Sequence, residues 1–200
     1  RNGWVPNNPR LPVLIYPKAI AVQGNDPAAL FEQTFSANGW PPQWRYGVYD
    51  YHHYHTEGHE VLGVVSGHAR LMLGGPDGLV LEVGAGDVLL LPAGTGHCNL
   101  DSSDDFLVVG AYPPGQQWDL CRTALSEPAI AAMLTLPFPK SDPVLGPDGD
   151  RLRPVRGPMV LPGQPGARGA GPGDGPGAAA DDPARPDRVR RLSGGTPVVA

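Results

Sequence analysis

Two hundred residues, 40% of them apolar and carrying a formal net charge of −5, suit one core of ordinary domain size with chain to spare. The basic residues gather on no single predicted element, which excludes the electrostatic footprint of a nucleic-acid binder. No run nears the ~18 apolar residues of a membrane span, so neither a nucleic acid nor a membrane is an expected partner. Two cysteines, Cys98 and Cys121, are too few for a disulfide scaffold, and RNGWVPNNPRLPVLIYP lacks the apolar block of a secretory signal; a cytoplasmic location is expected.

In chain order, residues 1–43 are expected to form a strand and a helix packing on a larger body. The helix is predicted over Asp26 to Asn38: Asp26 can cap it, Pro27 fits its first position, and Asn38-Gly39 supplies a left-handed stop. Leu30, Phe31, Thr34 and Phe35 line one face. Residues 44–155 form the predicted barrel and its C-terminal extension. The runs RYGVYDYHHYH, EVLGVVS, ARLMLGG, LVLEVG, DVLLLP, HCNL and FLVVGAY read as short strands separated by turn formers such as GGPDG and GAGD, at the spacing of an antiparallel sandwich or barrel. A second short helix is predicted around Ser126–Leu134, where Pro128 sits near the start. Residues 156–200, roughly two-fifths Gly plus Pro from Gly157 onward, are expected to form a disordered tail, because such a composition buries too little surface to offset its ordering entropy.

The stretch YHHYHTEGHE, residues 51–60, holds four of the chain's six histidines. Strand alternation turns His53 and His55 one way, and His52 and Tyr54 the other. After the turn-like Thr56-Glu57-Gly58, either His59 or Glu60 can fold back beside the pair. His97 follows a tight turn in PAGTGH and supplies a third imidazole. Three neutral imidazoles and a carboxylate suit one divalent transition metal, Fe, Mn, Ni, Co or Zn, since every donor is borderline and geometry decides among them. Tyr49 and Tyr51 share the alternation of His53 and His55, and are candidates for substrate contact or for lumen packing. Arg45 is a candidate for a forked contact with a substrate carboxylate, or an ordinary surface arginine. A zinc-protease signature is excluded because position 63 is glycine, and an eight-stranded α/β barrel hydrolase is excluded by length.

With these residues in place the chain resembles the cupin superfamily, whose first motif is G-x5-H-x-H-x(3,4)-E-x6-G and whose second is G-x5-P-x-G-x2-H-x3-N. Gly47, His53, His55, Glu60 and Gly67 match the first; Gly86, Pro92, Gly94 and His97 match the second, which departs at its end, where Asp101 stands with Asn99 nearby. The x6 interval to Gly67 favours Glu60 over His59 as the acid position. The words HHYHTEGHEVLG, PAGTGH, VGAYPPGQQWD and DPVLGPDG are similar to a bacterial single-domain cupin subgroup of uncharacterised function. The resemblance implies an all-β fold, a small double-stranded β-helix or jelly-roll barrel, with a metal in its lumen held by His53, His55, Glu60 and His97, and commonly a homodimer. The expected function is a metal-dependent enzyme of dioxygenase or isomerase type acting on a small organic molecule; the alternative is a cupin that binds a small ligand, as sensor or store, without turnover.

Overall fold

The computed structural model describes residues 3–147, together with the backbone of Met159–Leu161 and Arg190–Arg191. Its elements are β1 (Val13–Tyr16), α1 (Pro27–Ala37), β2 (Pro42–Tyr46), β3 (Glu60–Ser66), β4 (His68–Leu73), β5 (Leu79–Gly84), β6 (Val88–Leu91), β7 (His97–Ser102), β8 (Leu107–Ala111), α2 (Glu127–Met133), β9 (Met159–Leu161) and β10 (Arg190–Arg191). A larger sheet runs β10-β2-β8-β3-β6-β1-β9 and a smaller one β5-β4-β7, with every pairing antiparallel. The fold is an all-β jelly-roll of two antiparallel sheets, as expected. Of the stretch 156–200, only the two short strands β9 and β10 are described; the rest of the expected disordered tail lies outside the described residues.

Both faces of β3 are buried, and its period-2 pattern shows how. Val61 and Val65 join Phe31, Phe35, Val88, Leu90, Val109 and Ala111 in the core beneath α1. Leu62 and Val64 join Leu71, Leu73, Val83, Leu89, Leu91 and Val108 between the two sheets. Gly63 is what lets the helix settle so closely, since a Cβ there would lie 2.4 Å from Phe31 Cδ1 and 2.9 Å from Phe35 Cζ. The inward set of β3 begins with Glu60, so the acid stands at one end of an otherwise aliphatic lumen.

Two local expectations are corrected. Asp26 precedes α1, but its side chain makes no cap hydrogen bond; the carboxylate instead accepts from Arg45 Nη1 and Nη2 at 2.9 and 3.1 Å, where a charge-assisted pair outcompetes the helix N–H groups. The predicted strand over residues 45–55 is also broken. Strand β2 ends at Tyr46, and regular pairing resumes only as isolated bridges from His53 to His97 and from Tyr54 to Cys121. The reason is topological: β2 pairs with β8 in the larger sheet whereas His53 pairs with the start of β7 in the smaller one, and the chain between must cross. Ser126 does cap α2, accepting from the Ala129 N–H.

Candidate metal centre

Two separate stretches of backbone deliver the three clustered histidines, His53 with His55 from one and His97 from the other. His53 and His97 form a two-way bridge, His97 N–H donating to His53 O at 2.9 Å and His53 N–H to His97 O at 3.1 Å. The turn before His97 is tied to the next histidine, because Gly94 N–H donates to His55 O at 2.7 Å. His59 serves the same turn: its Nδ1 accepts from Ala93 N–H at 2.9 Å, and its ring lies edge-on to Phe138.

One ligand atom from each of His53, His55 and His97 lies within 4.8 Å of the other two, and all three residues are buried. Each ring has its Nδ1 against a backbone carbonyl: His53 against Tyr51 O and His97 against Thr95 O, both at 3.0 Å, and His55 against Asp119 O in a short contact. A carbonyl can only accept, so each Nδ1 carries a hydrogen, and in the neutral ring Nε2 keeps its lone pair. Carbonyls in that position orient a metal-binding imidazole and raise its basicity.

Glu60 closes the set. Its Oε2 stands 3.4 Å from His55 Nε2 and 3.4 Å from His97 Nε2, and this buried atom has no hydrogen-bond partner. Its other oxygen, Oε1, accepts a short hydrogen bond from the Tyr112 hydroxyl. Burial pushes His53 down to about 2 and His97 down to about 4. His55 differs: burial works against its charge, yet the Glu60 carboxylate outweighs that and raises it. Glu60 is in turn lowered, as His55 overcomes the penalty of burial. The protein thus presents neutral imidazoles at His53 and His97, a His55 held against the Glu60 carboxylate, and a Glu60 Oε2 without a hydrogen-bond partner at a single point. A buried carboxylate oxygen without a donor is costly, and a cation there would relieve it, so these residues fit a divalent metal.

The remaining expected site residues divide. Tyr49 and Tyr51 stack with centroids 4.9 Å apart and both meet the His53 ring edge-on, at 5.3 and 5.7 Å, so they stand beside the cluster. Arg45 stands elsewhere. Its guanidinium is taken by Glu32, with Nη2 2.8 Å from Oε2, and by Asp26, on the α1 side of the sheet, whereas its neighbour Trp44 packs against the lumen core. Two residues, Tyr112 and Arg122, escaped the sequence reading of the site, and a third, Asp119, is ambiguous in sequence between a site role and the surface. Tyr112 holds Glu60; Asp119 supplies the carbonyl for His55, and its carboxylate accepts from Thr56 N–H and Thr56 Oγ1 at 2.6 and 2.8 Å; Arg122 lies 4.2 Å above the Tyr51 ring. The first ends an ordinary apolar strand and the other two sit in irregular chain, so none carried a periodic signal.

The chain is 36% identical over 147 residues to the uncharacterized protein YjlB of Bacillus subtilis (strain 168), a match covering 72% of this chain and 86% of that one. The chain belongs to the YjlB family. No family model matches it. Among solved structures, an acireductone dioxygenase from Bacillus anthracis with a cadmium ion in its active centre is similar at 19% identity, over 48% of this chain and 64% of that chain, with a TM-score of 0.35. In this YjlB-family chain the strand order brings His53, His55, Glu60 and His97 to one place between the two sheets. No helix among the described residues is long and apolar enough to cross a membrane.

Proposed function

We propose that this protein holds one divalent transition metal through His53, His55, Glu60 and His97 and acts on a small organic molecule, as an enzyme of dioxygenase or isomerase type. The observation that carries the reading is Glu60 Oε2, buried without a partner and 3.4 Å from two imidazole nitrogens. When bound, the metal supplies Lewis acidity toward an enolate or carboxylate and, if redox-active, access to dioxygen.

The chain's own residues supply the rest. Three neutral imidazoles and one carboxylate offset only half of a divalent charge, so an anionic substrate is favoured over a neutral one. The stacked Tyr49 and Tyr51 form a flat wall beside His53 that suits the body of a planar ligand, with the phenol oxygens as polar handles. The aliphatic set below, with Leu62, Leu71, Leu89 and Val108, excludes water from the reacting centre.

The test begins with metal analysis of protein purified without added metal, followed by screening of small carboxylates and enolisable carbonyl compounds with oxygen uptake and product detection. About one metal per chain is expected, lost together with turnover in the His53→Ala/His97→Ala double variant. Wild-type protein that neither retains nor takes up metal would sink the reading. Ligand-induced stabilisation with no product from any substrate would replace the enzyme with a binding protein.

A further inference from the structure

The metal-holding reading leaves open how Glu60 would bind, and the surroundings of its carboxylate decide it. Strands β2, β8 and β3 are neighbours in the larger sheet. Trp44 pairs with Gly110 across β2 and β8, and Val61 pairs with Ala111 across β8 and β3. The lumen-facing positions are therefore Trp44, then Gly110 and Tyr112, then Glu60. They form a continuous run: Trp44 Nε1–H donates to the Tyr112 hydroxyl at 3.2 Å, and that hydroxyl donates to Glu60 Oε1. Gly110 makes the run possible. A Cβ there would lie 2.0 Å from Trp44 Cε2 and 2.1 Å from Cζ2, so the indole can lie across β8 only over glycine.

The phenol donates a hydrogen and is not a phenolate. It already accepts from an indole N–H, and the Glu60 oxygen it meets is a carboxylate acceptor, so the hydroxyl hydrogen points to Glu60. With one oxygen occupied by this donor and the other facing His55 and His97, the carboxylate has a single free oxygen to offer.

We propose that Tyr112 is a positioning residue which, backed by Trp44 and the space over Gly110, restricts Glu60 to binding the metal through Oε2 alone and thereby keeps a coordination position open for substrate. The proposal rests on the metal-holding reading of the site. It concerns the coordination number, which a role in folding alone would not set.

The experiment uses Co(II) as probe, added to metal-free full-length protein, with affinity read by titration and coordination number by the intensity of the visible d–d bands, which falls as coordination number rises. Tyr112→Phe keeps the ring and removes the hydroxyl. The expected result is a loss of about 10- to 100-fold in Co(II) affinity, the usual cost of removing such a partner, with weaker d–d bands as Oε1 turns to the metal. A Tyr112→Phe variant with wild-type affinity and wild-type band intensity overturns the proposal while leaving the metal site standing. Where that variant does not fold, the same two outcomes are read on Trp44→Phe, which withdraws the indole donor: a smaller change in the same direction supports the relay, and none overturns it. Wild-type protein that takes up no Co(II) fails the metal-holding reading itself, and the two failures are thereby told apart.

Discussion

The two faces of β3 are equally buried and differ in how they are satisfied. Outward, Val61 and Val65 meet Phe31 and Phe35 over Gly63, and every contact is hydrocarbon on hydrocarbon. Inward, Leu62 and Val64 do the same until the strand's first residue, where Glu60 stands 2% exposed with one oxygen unpartnered. The outer face leaves no polar atom in these contacts; the inner face leaves Glu60 Oε2 unpartnered, which the proposed cation would satisfy. On the proposed reading the outer side of the strand serves stability alone and the inner side serves both the core and the metal site. Substitutions on the two sides should then separate cleanly, adding as independent sites do.

The largest effect belongs to the outer face. Phe31→Ala removes a ring with no exposure from the contact under α1 and should cost about 3–5 kcal/mol in denaturant unfolding, with metal content per folded chain unchanged. Loss of metal from that variant while it remains folded would break the separation of faces. Next comes the inner face. Metal added to metal-free wild type at about a hundred times its dissociation constant should raise stability by roughly 2.7 kcal/mol, and the His53→Ala/His97→Ala variant should show no such rise in a thermal melt. Removing metal with a chelator should reverse the gain in wild type; complete unfolding on chelation would instead assign the metal a structural role.

The comparison also marks where sequence reasoning reached. Alternation sufficed to turn His53 and His55 the same way, and the ladder agrees even though the strand around them is interrupted, because the local bridge at His53 restores the pleat. The spacing from Glu60 to Gly67 distinguished Glu60 from His59, whose ring the structure places on the Ala93 turn. Tyr112 was not legible. It lies 52 residues from Glu60, and the pairing that joins them is the register of β3 on β8, a property of the folded sheet that no local pattern encodes. Arg45 was left open between a substrate contact and a surface arginine for a similar reason: its parity relative to Trp44 is plain, but which side of the sheet α1 would cover is not. The bend after Tyr46 follows from a crossing between sheets, again a global demand.

Asp119 connects the cluster to chain beyond the barrel, and its substitution comes next in size. Its carboxylate accepts from Thr56 N–H, Thr56 Oγ1 and Glu57 N–H, while its carbonyl takes His55 Nδ1. Asp119→Ala deletes the first set and retains the second, so the loop after His55 loosens without the loss of a ligand. A cost of about 1–3 kcal/mol is expected from the orphaned donors, with a fall in metal affinity below the 10-fold that loss of a direct partner brings. Asp119→Asn, which keeps one acceptor oxygen, should recover part of both. Equal damage from Asn and Ala would show that the negative charge, and not the hydrogen bonds, is what the loop requires.

The smallest effect is the sharpest test of sidedness. Arg45 and Trp44 are adjacent in β2 and face opposite ways, Trp44 toward the lumen core and Arg45 toward Asp26 and Glu32. The Arg45 side chain is 25% exposed and Asp26 is 55% exposed, so water and salt screen much of the pairing, and Arg45→Ala should cost about 1 kcal/mol or less, shrinking further as ionic strength rises. Metal affinity and any turnover should be untouched, because the guanidinium is committed to α1 and lies across the sheet from the cluster. A substrate carboxylate that binds through Arg45 would reverse this result: the variant would then lose substrate affinity with little loss of stability, and the assignment of Arg45 to the helix side would fail at the same stroke.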